Sequence, residues 1–175
     1  SPFDEFPISD PDALIDSENP IPGSKKVTQW MLPYFELIDM AIVNLESVVT
    51  DSPQTPHPTK DYVYFTLPES LVALTDLGVD FVSLGNNHLY DYKEQGLVDT
   101  FAALDSAGIL HSGAGLTPES AWQTLDLTSG VQEYTFISAC SISGEEHEFE
   151  YVASEEQGGA ADLRDTSDFI QALNS

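Results

Sequence analysis

The sequence predicts one α/β domain with a mixed, largely parallel sheet flanked by helices. Short apolar stretches alternate with segments whose apolar residues recur at helical spacing, and this alternation favours parallel strands joined by helical crossovers. The chain has 175 residues, of which 41% are hydrophobic and 10% aromatic, which is enough for a single core. A hairpin expected late in the chain adds an antiparallel element.

The first part of the chain is predicted to be an extended acidic arm. Residues 1–26 contain five prolines and many acids and show no sustained period, so we expect a loop there. Residues 27–175 then form the domain. It begins with a helix centred on 32–38, where an apolar stripe has helical spacing and Pro33 suits a first turn. A short apolar strand follows at 41–43.

The middle of the chain contains a strand that we expect to be buried. After a proline-rich turn, residues 62–65 predict a brief strand. A helix then begins near Pro68 and ends at Gly78, since proline favours a first helical position and glycine a helix end. The apolar run 79–84 follows at once and is typical of a buried parallel strand.

The remaining elements complete the alternation. Residues 96–107 predict a helix that ends at Gly108, and a strand at 109–112 follows. The later predicted elements are a short helix at 118–122, hairpin strands at 123–127 and 133–139, a loop over 143–162, and a final helix from about Thr166 to Leu173.

The charge balance excludes some classes of partner. Thirty acidic residues against five basic ones give a formal charge of -25, and such a surface repels nucleic-acid backbones and anionic lipid headgroups. We therefore expect no nucleic-acid partner. A surface adapted to high salt is the favoured explanation of this charge, with a divalent-cation site as the alternative.

Cys140 is the only cysteine, so no disulfide forms within the chain. The absence of a long apolar run predicts a soluble chain.

Polar clusters follow two of the predicted strands. Gly85-Asn86-Asn87-His88, with Asp91 nearby, comes directly after strand 79–84, and Asn44-Leu45-Glu46 comes after strand 41–43. Parallel strands end at the same edge of a sheet, so we expect both clusters to lie there. Amide, carboxylate and imidazole groups together suit metal-dependent phosphoester cleavage. The alternative is a polar turn beside a solvated loop acid.

Taken together, these segments resemble a known family. The stretches that carry the resemblance are 39–46, 78–92, 96–100 and Gly113-Ala114-Gly115. Their order is similar to that in CapA-type capsule synthesis proteins of the calcineurin-like metallophosphoesterase superfamily. This family is associated with poly-γ-glutamate production. The resemblance runs from about Trp30 to Trp122. It implies a calcineurin-like metallophosphoesterase α/β sandwich, here incomplete.

The resemblance also implies roles for individual residues. Glu46 would be a metal ligand in the place of the bridging carboxylate, and Asn87 would be the amide ligand. His88 would be catalytic, stabilising or protonating the leaving group. The supporting residues, which orient the ligands, would be Asn44, Asn86 and Asp91.

The chain departs from the family pattern in several places. Gly85 stands where alanine is usual, and Lys93 stands where glycine is usual. The opening Gly-Asp strand and the late histidine segments of the family are missing. The chain therefore resembles the middle of a family domain. Without the first strand one edge of the sheet would be exposed, so we expect the chain to self-associate or to be completed by other chain segments.

The resemblance leads to expectations about cofactors and partners. We expect divalent metal ions (Mn, Fe, Zn, Mg or Ca), held weakly by this chain alone because two ligands fall short of a full coordination shell. The expected function is metal-dependent hydrolysis of a phosphorylated or polyanionic cell-envelope substrate, at an extracytoplasmic or envelope-associated location. The alternative is a non-catalytic binding or assembly module of the same fold.

Overall fold

The computed structural model describes residues 20–142, 151–164 and 166–174. The helices of this part are α1 (Pro20–Thr28), α2 (Leu32–Phe35), α3 (Val72–Asp76), α4 (Lys93–Ala107), α5 (Pro118–Ala121) and α6 (Thr166–Leu173), and a 3₁₀ helix at Pro68–Leu71 leads into α3. The strands are β1 (Ile42–Asn44), β2 (Val48–Val49), β3 (Phe65–Thr66), β4 (Phe81–Ser83), β5 (Leu110–Ser112), β6 (Ala114–Gly115), β7 (Leu125–Ser129), β8 (Gln132–Phe136) and β9 (Gly159–Ala160).

The central sheet has three parallel strands in the order β1-β4-β5. β2 and β3 form a second parallel pair, β6 and β9 are antiparallel, and β7 and β8 form the predicted hairpin. The mixed α/β architecture with parallel strands and flanking helices is therefore confirmed. Within the described part of the chain, β1 is an edge strand of this sheet, and its first residue, Ile42, is 44% exposed.

The core lies between the central sheet and α4. Val82 and Leu84 from the β4 segment and Leu97 and Leu104 from α4 are fully buried in one apolar cluster. Burying a leucine side chain contributes about 1.5–3 kcal/mol, so this contact holds β4 in place. Gly108 ends α4 in the left-handed conformation, at φ +70°, and its N–H bonds to the carbonyls of the last turn.

Two expectations for the first third of the chain were wrong. Residues 20–26 of the expected arm belong to α1, where the buried Ser24 donates its hydroxyl to Pro20 O over 2.8 Å. Residues 1–19 lie outside the described residues. The helix expected over 32–38 is only one turn, α2, because most of its apolar stripe has no packing partner here: Tyr34 and Leu37 are 73% and 83% exposed.

Two further corrections concern short strands. The brief strand expected at 62–65 is β3, at residues 65–66, and it pairs with β2, which the sequence did not predict. Residues 151–162, expected to be loop, include β9. A Cβ at Gly159 would lie 2.4 Å from Tyr151 O, so glycine there permits residues 151–153 to approach β9 closely. Residues 143–150 of the expected loop lie outside the described residues.

In the described part of the chain, no helix has both the length and the apolar character needed to cross a membrane.

Candidate functional site

The three central strands end at one edge, and polar residues occupy that edge. Asn44, Ser83 and Ser112 are paired in register across β1, β4 and β5. The segments that follow β1 and β4 carry both predicted polar clusters. The parallel topology therefore brings the two clusters to the same edge of the sheet, as expected.

Asn86 joins the two clusters by hydrogen bonds. Its side-chain amide donates to Asn44 Oδ1 over 3.1 Å and to Leu45 O over 2.9 Å. Its Oδ1 accepts from the His88 N–H over 3.0 Å. Asn44 in turn donates to Glu46 Oε2 over 3.1 Å. A continuous chain of hydrogen bonds thus runs from Glu46 to the backbone of His88, and Asn86 is buried at its centre.

Asp91 orients the His88 ring. The Asp91 side chain is fully buried, and its Oδ2 lies 2.9 Å from His88 Nδ1. The same oxygen accepts from the Tyr64 N–H over 2.6 Å, and the Tyr64 ring packs on the imidazole with the ring centroids 4.2 Å apart. Since a carboxylate only accepts, we assign the proton of a neutral His88 to Nδ1, which leaves Nε2 as the basic nitrogen.

Lys60 is a site residue that the sequence analysis missed. Its ammonium donates to Asp91 Oδ1 and, over 2.7 Å, to Asn87 O, and its side chain is only 4% exposed. Burial lowers the pKa of Lys60, and the hydrogen bond and ion pair with Asp91 oppose that shift. The only available signal was one isolated basic residue in a segment of acids and prolines.

Gly85 lets another segment pack against the end of β4. Its N–H donates to Ser138 Oγ over 2.9 Å, and Ser138 Oγ lies 2.6 Å from Ser83 Oγ. A Cβ at position 85 would lie 2.4 Å from Ala139 N. The glycine at position 85 therefore has a steric reason in this chain.

The predicted metal ligands match a divalent cation in kind but not in number. Glu46 and Asn87 offer a carboxylate and an amide oxygen, which suit hard divalent ions. Glu46 is exposed, and Asn87 is buried. In residues 20–142, 151–164 and 166–174, no group of three His, Cys, Asp or Glu side chains could hold a metal ion. These residues alone do not make a closed metal site.

Of the other described histidines, His57 contacts this cluster through its backbone, and His111 packs on α4. His111 stacks on Phe101 of α4 with ring centroids 5.3 Å apart, and its Nε2 lies 3.4 Å from Asp105 Oδ1. His57 contributes its backbone N–H, which donates to Asp91 O over 2.7 Å. His147 lies outside the described residues.

Comparison with known proteins places the chain in a family. The model of the family described as "Bacterial capsule synthesis protein PGA_cap" matches residues 11–173. A "Probable polyglutamine synthesis accessory protein" of Mycobacterium tuberculosis is 28% identical over 144 residues, which cover 78% of this chain and 38% of that protein. The "PGA biosynthesis protein CapA" of Bacillus subtilis is 28% identical over 99 residues, which cover 57% of this chain and 26% of that protein.

These alignments span well under half the length of the relatives. The family match, in contrast, extends over nearly the whole of this chain, and the four motifs of the sequence analysis lie within it. The chain therefore belongs to the PGA_cap family of bacterial capsule synthesis proteins.

Proposed function

We propose that this chain forms part of a metallophosphoesterase-type hydrolase that acts in poly-γ-glutamate capsule synthesis. The observation that carries the proposal is the His88–Asp91 pair, held at the carboxyl edge of a parallel sheet beside Asn44, Glu46 and Asn86. The family match and the names of the relatives support the capsule assignment. The substrate class is a phosphorylated or polyanionic polymer of the cell envelope, at an extracytoplasmic location.

In this proposal each residue has a distinct chemical task. His88 Nε2, once protonated, donates a proton to the leaving oxygen, and the Nδ1 contact with Asp91 fixes the ring while it does so. If a divalent cation binds, Glu46 and Asn87 would be among its ligands, and the cation would supply polarisation of the phosphoryl group. Asn44 and Asn86 orient Glu46 and the His88 backbone through their hydrogen bonds.

A second candidate function is a non-catalytic module that binds the polymer or a partner protein. The observation that favours it is the open ligand set: Glu46 is exposed, and no group of three His, Cys, Asp or Glu suited to a metal occurs in the described residues. Since a strongly acidic protein needs cations to bridge to a polyanion, metal-dependent binding is compatible with both functions. Only turnover separates them.

The experiment compares His88→Gln with His111→Gln in the purified protein. Hydrolysis of a generic phosphodiester is measured while Mn²⁺ or Mg²⁺ is titrated, and poly-γ-glutamate binding is measured in parallel. Loss of the general acid predicts a fall in kcat of about 100-fold or more for His88→Gln. His111→Gln, which changes a ring packed on α4, should keep wild-type turnover.

Two results would contradict the hydrolase proposal. One is equal turnover of the wild type and His88→Gln, since a general acid cannot be dispensable. The other is polymer binding without hydrolysis at every metal concentration, which would favour the binding module. For the 175-residue chain alone, we expect weak metal binding and slow turnover, because Glu46 and Asn87 supply only two ligands.

A further inference from the structure

The buried carboxylate of Asp91 depends on a full positive charge. A carboxylate removed from water is tolerated only where hydrogen-bond donors and a cation replace its hydration. Two of its donors are the Tyr64 N–H and His88 Nδ1, both at Oδ2. Lys60, at Oδ1, adds a formal charge. With side chains 4% and 0% exposed, Lys60 and Asp91 form a buried ion pair.

The same ammonium group holds the chain on both sides of His88. Lys60 Nζ donates to the carbonyl of Asn87, the residue before His88, and to the side chain of Asp91, three residues after it. It also lies 3.4 Å from His88 Nδ1. One side chain therefore fixes the start and the end of the loop that presents the imidazole.

The position of Lys60 contrasts with the other lysines. The chain has only five basic residues. Lys25, for comparison, pairs with Asp76 over 2.7 Å at the surface, where both side chains are at least 40% exposed. Exposed pairs of that kind contribute little. Burial of one scarce cation beside a histidine indicates a specific structural task.

We propose that Lys60 is a positioning residue for His88, acting through Asp91 and the Asn87 carbonyl. Its ammonium donates into the protein, so it orients the reacting group and does not contact substrate. Loss of its charge should let Asp91 turn toward solvent, and His88 would then leave its packed position on the Tyr64 ring. The inference rests on the proposed catalytic role of His88, and the geometric part can be tested independently of that role.

The test compares Lys60→Met with Lys25→Met, which removes a surface lysine. Imidazole proton shifts are recorded by NMR, with His88 assigned from the His88→Gln spectrum. A ring packed 4.2 Å from Tyr64 experiences a ring-current shift, and we expect Lys60→Met to lose it. Lys25→Met should leave the His88 signals unchanged. An unchanged His88 shift in Lys60→Met would overturn the proposal.

Kinetics provide a second measurement. Misplacing a catalytic group through its supporting residue should lower kcat by about 10- to 100-fold while KM changes little. An equal fall for Lys25→Met would overturn a specific role. If neither the wild type nor any variant hydrolyses the phosphodiester, the hydrolase proposal fails. The NMR shift of the His88 imidazole protons then still tests whether Lys60 positions His88. If Lys60→Met does not fold, Lys60→Gln, which keeps a donor group, is judged by the same shift.

Discussion

Two parts of the candidate site differ sharply in how they are held. We define the inner wall as Lys60, Tyr64, His88 and Asp91, and the outer rim as Asn44 and Glu46. The inner wall has a fully buried carboxylate with an ammonium, an imidazole and a backbone N–H around it. The outer rim is exposed, and within the described residues the Glu46 side chain accepts a hydrogen bond from Asn44 at the surface.

The difference shows which part of the chemistry this chain organises by itself. A buried charge must have partners at fixed positions, so the inner wall has a defined geometry without any bound molecule. An exposed carboxylate is solvated and acquires a fixed position only when a cation or another surface engages it. The orientation of His88 is therefore a property of the fold, whereas the position of Glu46 depends on what binds.

The largest expected effect separates the two parts directly. Asp91→Ala leaves the Lys60 ammonium buried without the Asp91 carboxylate, so we expect the free energy of unfolding to fall by about 3–5 kcal/mol. Glu46→Ala, at the exposed rim, should change stability by less than about 0.5 kcal/mol. Urea denaturation with linear extrapolation measures both. Equal losses in the two variants would show that the inner wall is no more dependent on its charges than the outer rim.

A second prediction concerns what lies behind the inner wall. In Gly85→Ala the added Cβ would lie 2.4 Å from Ala139 N. Removing this clash requires a backbone shift that costs about 1–3 kcal/mol. Gly78→Ala is the matched control, because its Cβ meets no atom within 4 Å and only its φ of +70° is unfavourable. Gly85→Ala should also shift the His88 NMR signals, and Gly78→Ala should not. The steric argument fails if both leave His88 unchanged.

A smaller effect is expected at the start of α4, two residues after Asp91. Lys93 has φ +55°, and it is the only residue other than glycine with a positive φ in the described part of the chain. A left-handed backbone conformation costs a residue with a Cβ about 1–2 kcal/mol. Glycine avoids this strain, but it loses more conformational entropy on folding, which offsets about 0.5–1 kcal/mol of the gain. Lys93→Gly should therefore stabilise the fold by about 0.5–1 kcal/mol.

Lys93→Ala is the control for that prediction, because it removes the exposed side chain and keeps the Cβ. Thermal unfolding should show a higher Tm for Lys93→Gly and little change for Lys93→Ala. A gain in both variants would attribute the effect to the lysine charge and not to the backbone.

The parts of the fold that the sequence predicted are those specified by local pattern. Helix α4 and its end at Gly108 follow from apolar spacing and a glycine, and β4 and β5 follow from apolar runs. The stripe around Tyr34 has the same kind of pattern but does not form the expected long helix, because a stripe needs a surface to pack on. Strands of two residues, such as β2 and β3, carry no period to detect.

In the candidate site, too, the residues that follow a local pattern could be predicted from the sequence, and the residue placed by a tertiary contact could not. The location of Glu46 and His88 at one edge could be predicted, because both follow apolar runs and parallel strands end together. Lys60 could not be predicted, since its burial depends on a contact with Asp91, 31 residues away, through a proline-rich segment without regular structure. A tertiary ion pair of this kind leaves no periodic signal in the sequence.

The smallest effect is expected at Tyr90, which lies between His88 and Asp91 on the chain and is buried. Burial, followed by the nearby Glu94 carboxylate, raises the pKa of Tyr90 from 10.0 to about 12. The folded state therefore keeps this proton after the unfolded chain has lost it, so the stabilising contribution is complete below pH 10 and is lost as pH rises toward about 12.

Tyr90→Phe cannot ionise and should lose less stability than the wild type as the pH rises from 10.0 to about 12, a window set by that raised pKa. The lowered pKa of Lys60 acts in the opposite direction at alkaline pH, but it is present in both proteins and cancels in the comparison. Urea midpoints across this range measure the difference, with the exposed Tyr134→Phe as control. Parallel curves for the wild type and Tyr90→Phe would show that the segment around His88 opens to water before Tyr90 ionises, and the inner wall would then be less closed than its hydrogen bonds imply.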